Sequence, residues 1–195
     1  PRNPETAMGA LVSRDQFNSV QEGLHHLSSE SSVLFDGAAQ PLLDADAKSA
    51  CVAPTLLGVR DADAAVEVHR HEVFGPVSSL IGYRDARHAT DLAHRGQGSL
   101  VASIYSADNA WMADVAEQLA TSHGRVHVVS PEVGKTQTGH GNVMPGSIHG
   151  GPGRAGGGEE LGGLRALNFY HRKSAIQAPA SVIELMTKHS TGFNV

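Results

Sequence analysis

Apolar positions along this chain repeat with two periods, one typical of helices and one typical of strands. The pattern predicts an initial helix, then two β-prone runs, then helices and strands in alternation. In chain order these elements span residues 17–27, 32–35, 51–59, 62–69, 77–83, 85–94, 100–105, 108–123 and 125–130. Strands that alternate with helices imply an α/β fold, a parallel sheet covered by helices on both faces.

Single residues refine the prediction for two of these elements. Ser13 and Gln16 form a capping-box pattern that should start the first helix. Pro54 interrupts the second β-prone run, which predicts an edge strand or an irregular one because proline cannot donate to a ladder.

The helix predicted at residues 108–123 carries an apolar stripe of Trp111, Val115 and Leu119, and we expect this stripe to face the sheet. Gly124 follows where a left-handed helix cap belongs. Together these features make this helix the best defined of the series.

Residues 131–158 contain 10 glycines in 28 positions and almost no apolar periodicity, so they predict a long functional loop. Helical spacing returns at residues 159–170. Residues 173–177 predict a final strand, and residues 181–195 predict a helical turn or two.

Composition narrows the classes of function. The 195 residues suit one domain, and the net charge of −5 without basic clusters argues against nucleic acid as a partner. No apolar run approaches the roughly 20 residues of a membrane span, and the single cysteine excludes an internal disulfide. We therefore expect a cytoplasmic protein. The first residues lack an initiator Met and a leader pattern, which suggests the interior of a longer chain.

Two glycine-rich motifs imitate nucleotide sites. The run GPGRAG at residues 151–156 matches the dinucleotide-binding G-x-G-x-x-G, but that motif needs a buried strand directly before it, and residues 144–149 predict none. The run GKT at residues 134–136 resembles the end of a phosphate-binding loop, yet Val129 occupies the position that requires glycine. Neither motif predicts a nucleotide site.

Cysteine and histidine are the candidate nucleophile and metal ligands in this sequence. Cys51 lies in an apolar run without a glycine turn, which favours a structural thiol. The 12 histidines include three close pairs, namely His25 and His26, His69 and His71, and His123 and His127. Without cysteine or carboxylate partners at ligand spacing, we expect these histidines to be solvated or locally bonded and not metal ligands.

Four short runs resemble signatures of the aldehyde dehydrogenase superfamily. The run HEVFGPV at residues 71–77 resembles its E-[VI]-F-G-P signature, and MGALVS at residues 8–13 resembles M-G-P-L-[IV]-S, with Ala10 in place of the usual proline. The run APTL at residues 53–56 resembles E-P-T-[VL], and residues 153–154 fall at the S-G-x-G-R turn. The four runs keep the family order and cover nearly the whole chain.

The chain also resembles a narrower branch of the superfamily. Residues 122–125 (SHGR), 138–142 (TGHGN) and 149–163 (HGGPGRAGGGEELGG) resemble dehydrogenases that oxidise CoA-linked semialdehydes after ring opening in aerobic phenylacetyl-CoA and benzoyl-CoA degradation. Other members carry P-F-G-G-x-K-x-S-G at this glycine-rich run. The resemblance implies a rebuilt specificity loop.

The resemblance also implies roles for two residues. The family glutamate at Glu72 accepts hydrogen bonds from the nicotinamide-ribose hydroxyls of NAD or NADP, and the phenylalanine at Phe74 packs beside that end of the cofactor. Without the resemblance, Glu72 would be interpreted as an exposed helix-end carboxylate and Phe74 as a core aromatic. The family nucleophile, general base and dinucleotide-binding domain lie upstream, so we expect no catalytic residue and no bound cofactor in this chain alone.

The resemblance divides the chain into residues 1–170, part of a catalytic domain, and residues 171–195, a strand and tail through which subunits associate into a homo-oligomer. A small aldehyde would be the substrate. Two alternatives remain open at this point: a repurposed interaction module that uses its sheet edge and terminal strand, and a different enzyme that uses Cys51 with a histidine.

Overall fold

The computed structural model describes residues 6, 8–39, 48–142, 147–159 and 164–190. The helices there are α1 (Arg14–Ser28), α2 (Glu67–Arg70), α3 (Ala86–Arg95), α4 (Asn109–Leu119), α5 (Leu167–Tyr170) and α6 (Ala180–Ser190). The strands are β1 (Ser31–Asp36), β2 (Thr55–Val59), β3 (Val77–Leu80), β4 (Val101–Tyr105), β5 (Arg125–Val129), β6 (Ile148–Gly150) and β7 (Gly157–Glu159). None of the described helices is long and apolar enough to cross a membrane.

The first sheet has the order β1-β2-β3, with β1 antiparallel and β3 parallel to β2. The expectation that the run around Pro54 forms an edge strand is wrong, because β2 is the central strand. Pro54 lies directly before the first ladder residue, Thr55, so its missing N–H costs the sheet no bond. The side chain of Leu57, in the middle of β2, is almost completely buried.

The second sheet pairs β4 with β5 in parallel, and α4 makes the crossover between them. The core beneath α4 is a cluster of four buried residues, namely Ile104, Met112, Val115 and Leu119. The predicted stripe is therefore right for two of its three members, while Met112 takes the buried place expected of Trp111, which packs at its margin. The α/β class is confirmed, but the described strands form small separate sheets.

The prediction for Gly124 is wrong. Helix α4 ends at Leu119 with a right-handed C-cap at Ala120, and Gly124 does not have a positive φ. A Cβ atom on Gly124 would overlap the carbonyl oxygen of Gly150. This glycine is required by a close approach of two backbones and not by a turn.

The long loop predicted at residues 131–158 contains secondary structure that periodicity did not indicate. Strands β6 and β7 pair antiparallel, with Ile148 opposite Glu159. The short strand before residues 151–156 is exposed at Ile148 and His149, so it is not the buried strand that the motif needs. Residues 151–156 connect a hairpin, and no helix begins in them. The hairpin therefore differs from a dinucleotide-binding turn.

Predictions for the C-terminal part are only partly right. In the segment predicted as helical, residues 159–170, the described helical structure is a 3₁₀ turn at Leu164–Ala166 followed by α5. Residues 160–163 lie outside the described residues. Residues 173–177 form no strand within the described chain, so the predicted strand pairing is not seen there. Helix α6 is longer than the predicted turn or two, and residues 191–195 lie outside the description.

Candidate functional site

Glu72 and Phe74 lie in an irregular loop, residues 71–76, between α2 and β3. Both side chains are exposed, Phe74 to 68%, so Phe74 is not a core aromatic in this chain. The two residues line a cleft of about 550 Å³ together with Val68, His69, Gly96, Gly98, Ser99, Leu100, Arg154 and Ala155. The exposed pair thus faces a surface built by a distant turn and by the glycine-rich run.

Helix α1 holds this loop from behind through its first turn. The Ser13 hydroxyl accepts a hydrogen bond from the Gln16 backbone N–H at 3.1 Å, which confirms the predicted cap. The Gln16 side chain does not complete the box, because its Nε2 donates to the Phe74 carbonyl oxygen at 2.9 Å. The residue expected to stabilise the helix start therefore ties the helix to the candidate site.

Two glycines bring the same helix and loop into close contact. A Cβ atom on Gly75 would lie 2.6 Å from Cγ2 of Val20, and one on Gly23 would lie 2.6 Å from Cγ2 of Val73. Val20 is completely buried. Gly23 is on the helix and Gly75 is on the loop, so each element has a glycine where the other packs against it.

Glu30, just beyond α1, fixes the start of α2. Its carboxylate accepts backbone N–H bonds from Val66 at 2.8 Å, Glu67 at 3.0 Å and Val68 at 2.6 Å. Val66, the N-cap position itself, offers no side-chain acceptor. Burial raises the pKa of Glu30, but these three bonds and the nearby His69 lower it more, so the net pKa lies below its ordinary value.

His69 contributes a partly buried imidazole to the cleft. Its Nε2 is buried and has no hydrogen-bond partner among the described residues. Burial lowers the pKa of His69 first, the charge of Arg95 lowers it further, and Glu30 opposes them. Burial and the Arg95 charge therefore favour the neutral form of this ring.

The opposite wall of the cleft depends on glycine packing. The Arg154 backbone N–H donates to the Gln97 carbonyl oxygen at 2.7 Å. Gly98 has a φ of +92°. A Cβ atom on Gly153 would lie 3.0 Å from the Cα atom of Gly98. The hairpin connection therefore presses against the turn after α3 and brings Arg154 into the cleft, where Glu72 also lies.

The other candidate residues lie outside this cleft. Cys51 is half-buried in the irregular stretch before β2, and no hydrogen bond joins its thiol to a described histidine. His123 is locally bonded, as expected, with its Nδ1 3.0 Å from the Leu119 carbonyl oxygen. The structure gives no support to a nucleophilic Cys51 paired with histidine.

The fold brings together one group that sequence reasoning missed. Glu67, His26 and His71 converge so that one atom of each lies within 4.8 Å of the others. Glu67 precedes His71 by four residues, a spacing that places both on one helical face and that was visible in the sequence. The contact with His26 joins α1 to α2 and could not be read from spacing.

Comparison with known proteins adds to this geometry. A statistical description of the aldehyde dehydrogenase family matches residues 1–176. The chain belongs to the aldehyde dehydrogenase family. It is 48% identical over 155 residues to a 3,4-dehydroadipyl-CoA semialdehyde dehydrogenase of Aromatoleum evansii, a match that covers 78% of this chain and 30% of the relative. It is 40% identical over 177 residues to Protein MaoC of Klebsiella aerogenes, covering 90% of this chain and 52% of the relative.

Solved structures of the family show the same fold. A betaine aldehyde dehydrogenase of Staphylococcus aureus, solved in complex with NAD+, matches with a TM-score of 0.68 and 22% identity. The match covers 86% of this chain and 31% of that structure. The chain thus spans between about a third and about half of the proteins it matches.

Proposed function

We propose that this chain is part of an NAD(P)-dependent aldehyde dehydrogenase and supplies the Glu72 and Phe74 side of its nicotinamide site. The observation that carries the proposal is the cleft itself, in which both side chains are exposed while the backbone between them is fixed by α1. Family membership supports the reaction class.

The residues present fit a nicotinamide riboside. An exposed carboxylate offers acceptors to two neighbouring ribose hydroxyls, and the exposed Phe74 ring offers an apolar surface of the right kind. Gly96 and Gly98 line the same cleft. When bound, the nicotinamide supplies the hydride acceptor, and Glu72 and Phe74 orient it.

The substrate we propose is a CoA-linked semialdehyde from aromatic ring opening. The identity to the Aromatoleum evansii enzyme supports this, as does the glycine-rich run, which forms the β6–β7 hairpin and the Arg154 wall of the cleft. We place the nucleophile, the general base and the dinucleotide-binding domain in other parts of the enzyme. Residues 1–195 by themselves should therefore have no dehydrogenase activity.

The test is Glu72→Ala in the full-length enzyme. We expect hydride transfer to slow by about 100-fold while the dissociation constant of the cofactor changes much less, because misplacement costs rate more than binding. Single-turnover absorbance at the reduced-nicotinamide band, with calorimetry for binding, separates the two. Glu22→Ala, which removes an exposed carboxylate from α1, is the matched control. An unchanged hydride-transfer rate in Glu72→Ala would return Glu72 to a solvated carboxylate.

We also propose that residues 171–195 follow the catalytic part, residues 1–170, as an association segment of a homo-oligomer. Residues 171–177 are exposed throughout, and apolar Phe169, Tyr170 and Ile176 are more than half exposed. Strand pairing with a second copy would satisfy the open backbone groups. Light scattering should find a discrete oligomer that truncation after Tyr170 converts to monomer, and a monomer before truncation would contradict the proposal.

A further inference from the structure

His26, Glu67 and His71 form a compact group beside the candidate site. The Nε2 atom of His71 lies 2.9 Å from Oε2 of Glu67, and Nδ1 of His26 lies 3.7 Å from the same oxygen. The two imidazole rings stack with centroids 4.4 Å apart and planes inclined by 7°. One carboxylate oxygen thus lies within 4 Å of two imidazole nitrogens.

The elements that carry these side chains are held in place independently of the group. Helix α1 is anchored by buried Val20 and Leu27, and the start of α2 is fixed by Glu30. The second oxygen of Glu67, Oε1, lies 4.0 Å from the Arg70 guanidinium, which leaves Oε2 directed toward the histidines. The arrangement is therefore built from a fixed framework and not from free surface side chains.

We propose that this group binds one divalent transition-metal ion of the zinc class. Zinc bonds of about 2.1 Å in tetrahedral geometry place neighbouring ligand atoms about 3.4 Å apart. The two observed distances to Glu67, 2.9 and 3.7 Å, fall on either side of that value. One ligand atom from each of the three residues lies within 4.8 Å of the others, so modest side-chain rotations would bring them into one coordination sphere.

The donor set selects the kind of ion. Two imidazole nitrogens and a carboxylate oxygen suit Zn²⁺, Cu²⁺ or Ni²⁺, whereas Mg²⁺ and Ca²⁺ prefer oxygen alone. The side chains of His26, Glu67 and His71 are 41%, 26% and 38% exposed, so an ion can enter from solvent and water can complete its coordination. Such an ion would link α1 to His71, the residue before Glu72, and would have a structural role.

Calorimetry of the tag-free protein with ZnCl₂ tests the proposal. We expect one equivalent to bind near neutral pH, and His26→Ala, His71→Ala and Glu67→Gln each to weaken binding roughly tenfold or more. His25→Ala, which removes the neighbouring exposed imidazole, is the matched control and should bind as the parent does. Circular dichroism shows whether each variant folds.

A second measurement needs no variant. Copper bound at this site should show two coordinated nitrogens by electron paramagnetic resonance, and acid should release the ion, because protons compete with a metal for its ligands. Zinc binding only at millimolar concentration, equal loss in His25→Ala, or a copper spectrum with fewer than two nitrogens would each overturn the proposal. In those cases the three side chains contact one another across α1 and α2 without binding a metal.

Discussion

Helix α4 packs on β4 and β5 through buried apolar side chains, whereas α1 meets an irregular loop, residues 71–76, through a glycine, a valine and one side-chain bond to the backbone. Both helices are amphipathic and both begin at a side-chain cap. Their partners differ, because α4 covers a sheet and α1 supports the loop that carries Glu72 and Phe74. Similar amphipathic helices thus cover a sheet in one region and support a loop in the other.

The difference predicts different responses to substitution. Removal of atoms beneath α4 leaves a cavity that the close-packed strands cannot fill, so folding stability should suffer most. A change at the α1 contact moves a loop that is exposed on its other side, so the loop can shift without a cavity. Its effect should appear in the geometry of the site before it appears in stability.

The largest expected effect is that of Leu119→Ala in α4. Leu119 is 7% exposed and belongs to the four-residue cluster, so its truncation should lower the free energy of unfolding by about 2–5 kcal/mol. Urea unfolding followed by circular dichroism measures this. Glu117→Ala, exposed on the same helix, should change it by less than about 0.5 kcal/mol. Equal losses in the two variants would contradict the assignment of the core to this face.

Glu30→Gln is expected to have a smaller effect and tests a polar contact at the α1 side. The substitution removes the charge that accepts three N–H bonds at the start of α2, which should cost about 1 kcal/mol at pH 7. Urea unfolding again measures it. Glu22→Gln, an exposed change of the same type on α1, is the control and should be nearly neutral.

The cost of Glu30→Gln should also depend on pH. The folded-state pKa of Glu30 lies below its ordinary value of 4.5, so the carboxylate stabilises the fold above the unfolded pKa. That contribution is lost as pH falls through the folded pKa. The difference between parent and variant should therefore be constant near neutrality and vanish in acid, and a difference that grows in acid would contradict the bonded geometry.

The two regions also differ in how far sequence predicts them. The apolar stripe of α4 follows from a local period. Two of its three predicted members are buried, but Met112 and not Trp111 is the third buried residue, because the packing partner decides which face of a helix is covered. The Glu30 contact joins residues 36 to 38 positions apart, so no local period reports it. The cap at Ser13 was predictable, but the use of Gln16 on Phe74 was not.

Glycine shows the same limit. The composition of residues 131–158 predicted a loop. The structure instead has a hairpin there, and glycines such as Gly124 and Gly150 let its backbone approach neighbouring segments closely. A glycine in sequence indicates either a turn or a close approach, and only the fold decides which. The roles proposed for Glu72 and Phe74 rest on the family resemblance, and the structure adds the contacts of α1 with the loop that carries them.

The stability change expected for Gly23→Ala is the balance of two opposing effects, and this substitution sharpens the contrast between the two regions most. Alanine is favoured over glycine inside a helix by about 1 kcal/mol, while the new Cβ would lie 2.6 Å from Cγ2 of Val73, a stiff side chain. Because overpacking costs about 1–3 kcal/mol, the two effects should offset each other to within about 2 kcal/mol. Urea unfolding should find a modest change.

The rate should respond more strongly to the same substitution. Val73 lies between Glu72 and Phe74, so a loop that moves away from the new methyl group displaces both, and hydride transfer in the full-length enzyme should slow by roughly tenfold or more. Gly82→Ala is the matched control, because nothing lies within 4 Å of the Cβ it adds. Single-turnover kinetics compare the two. If Gly23→Ala keeps the parent rate, α1 does not position the loop, and its close contact with Val73 has only a packing role.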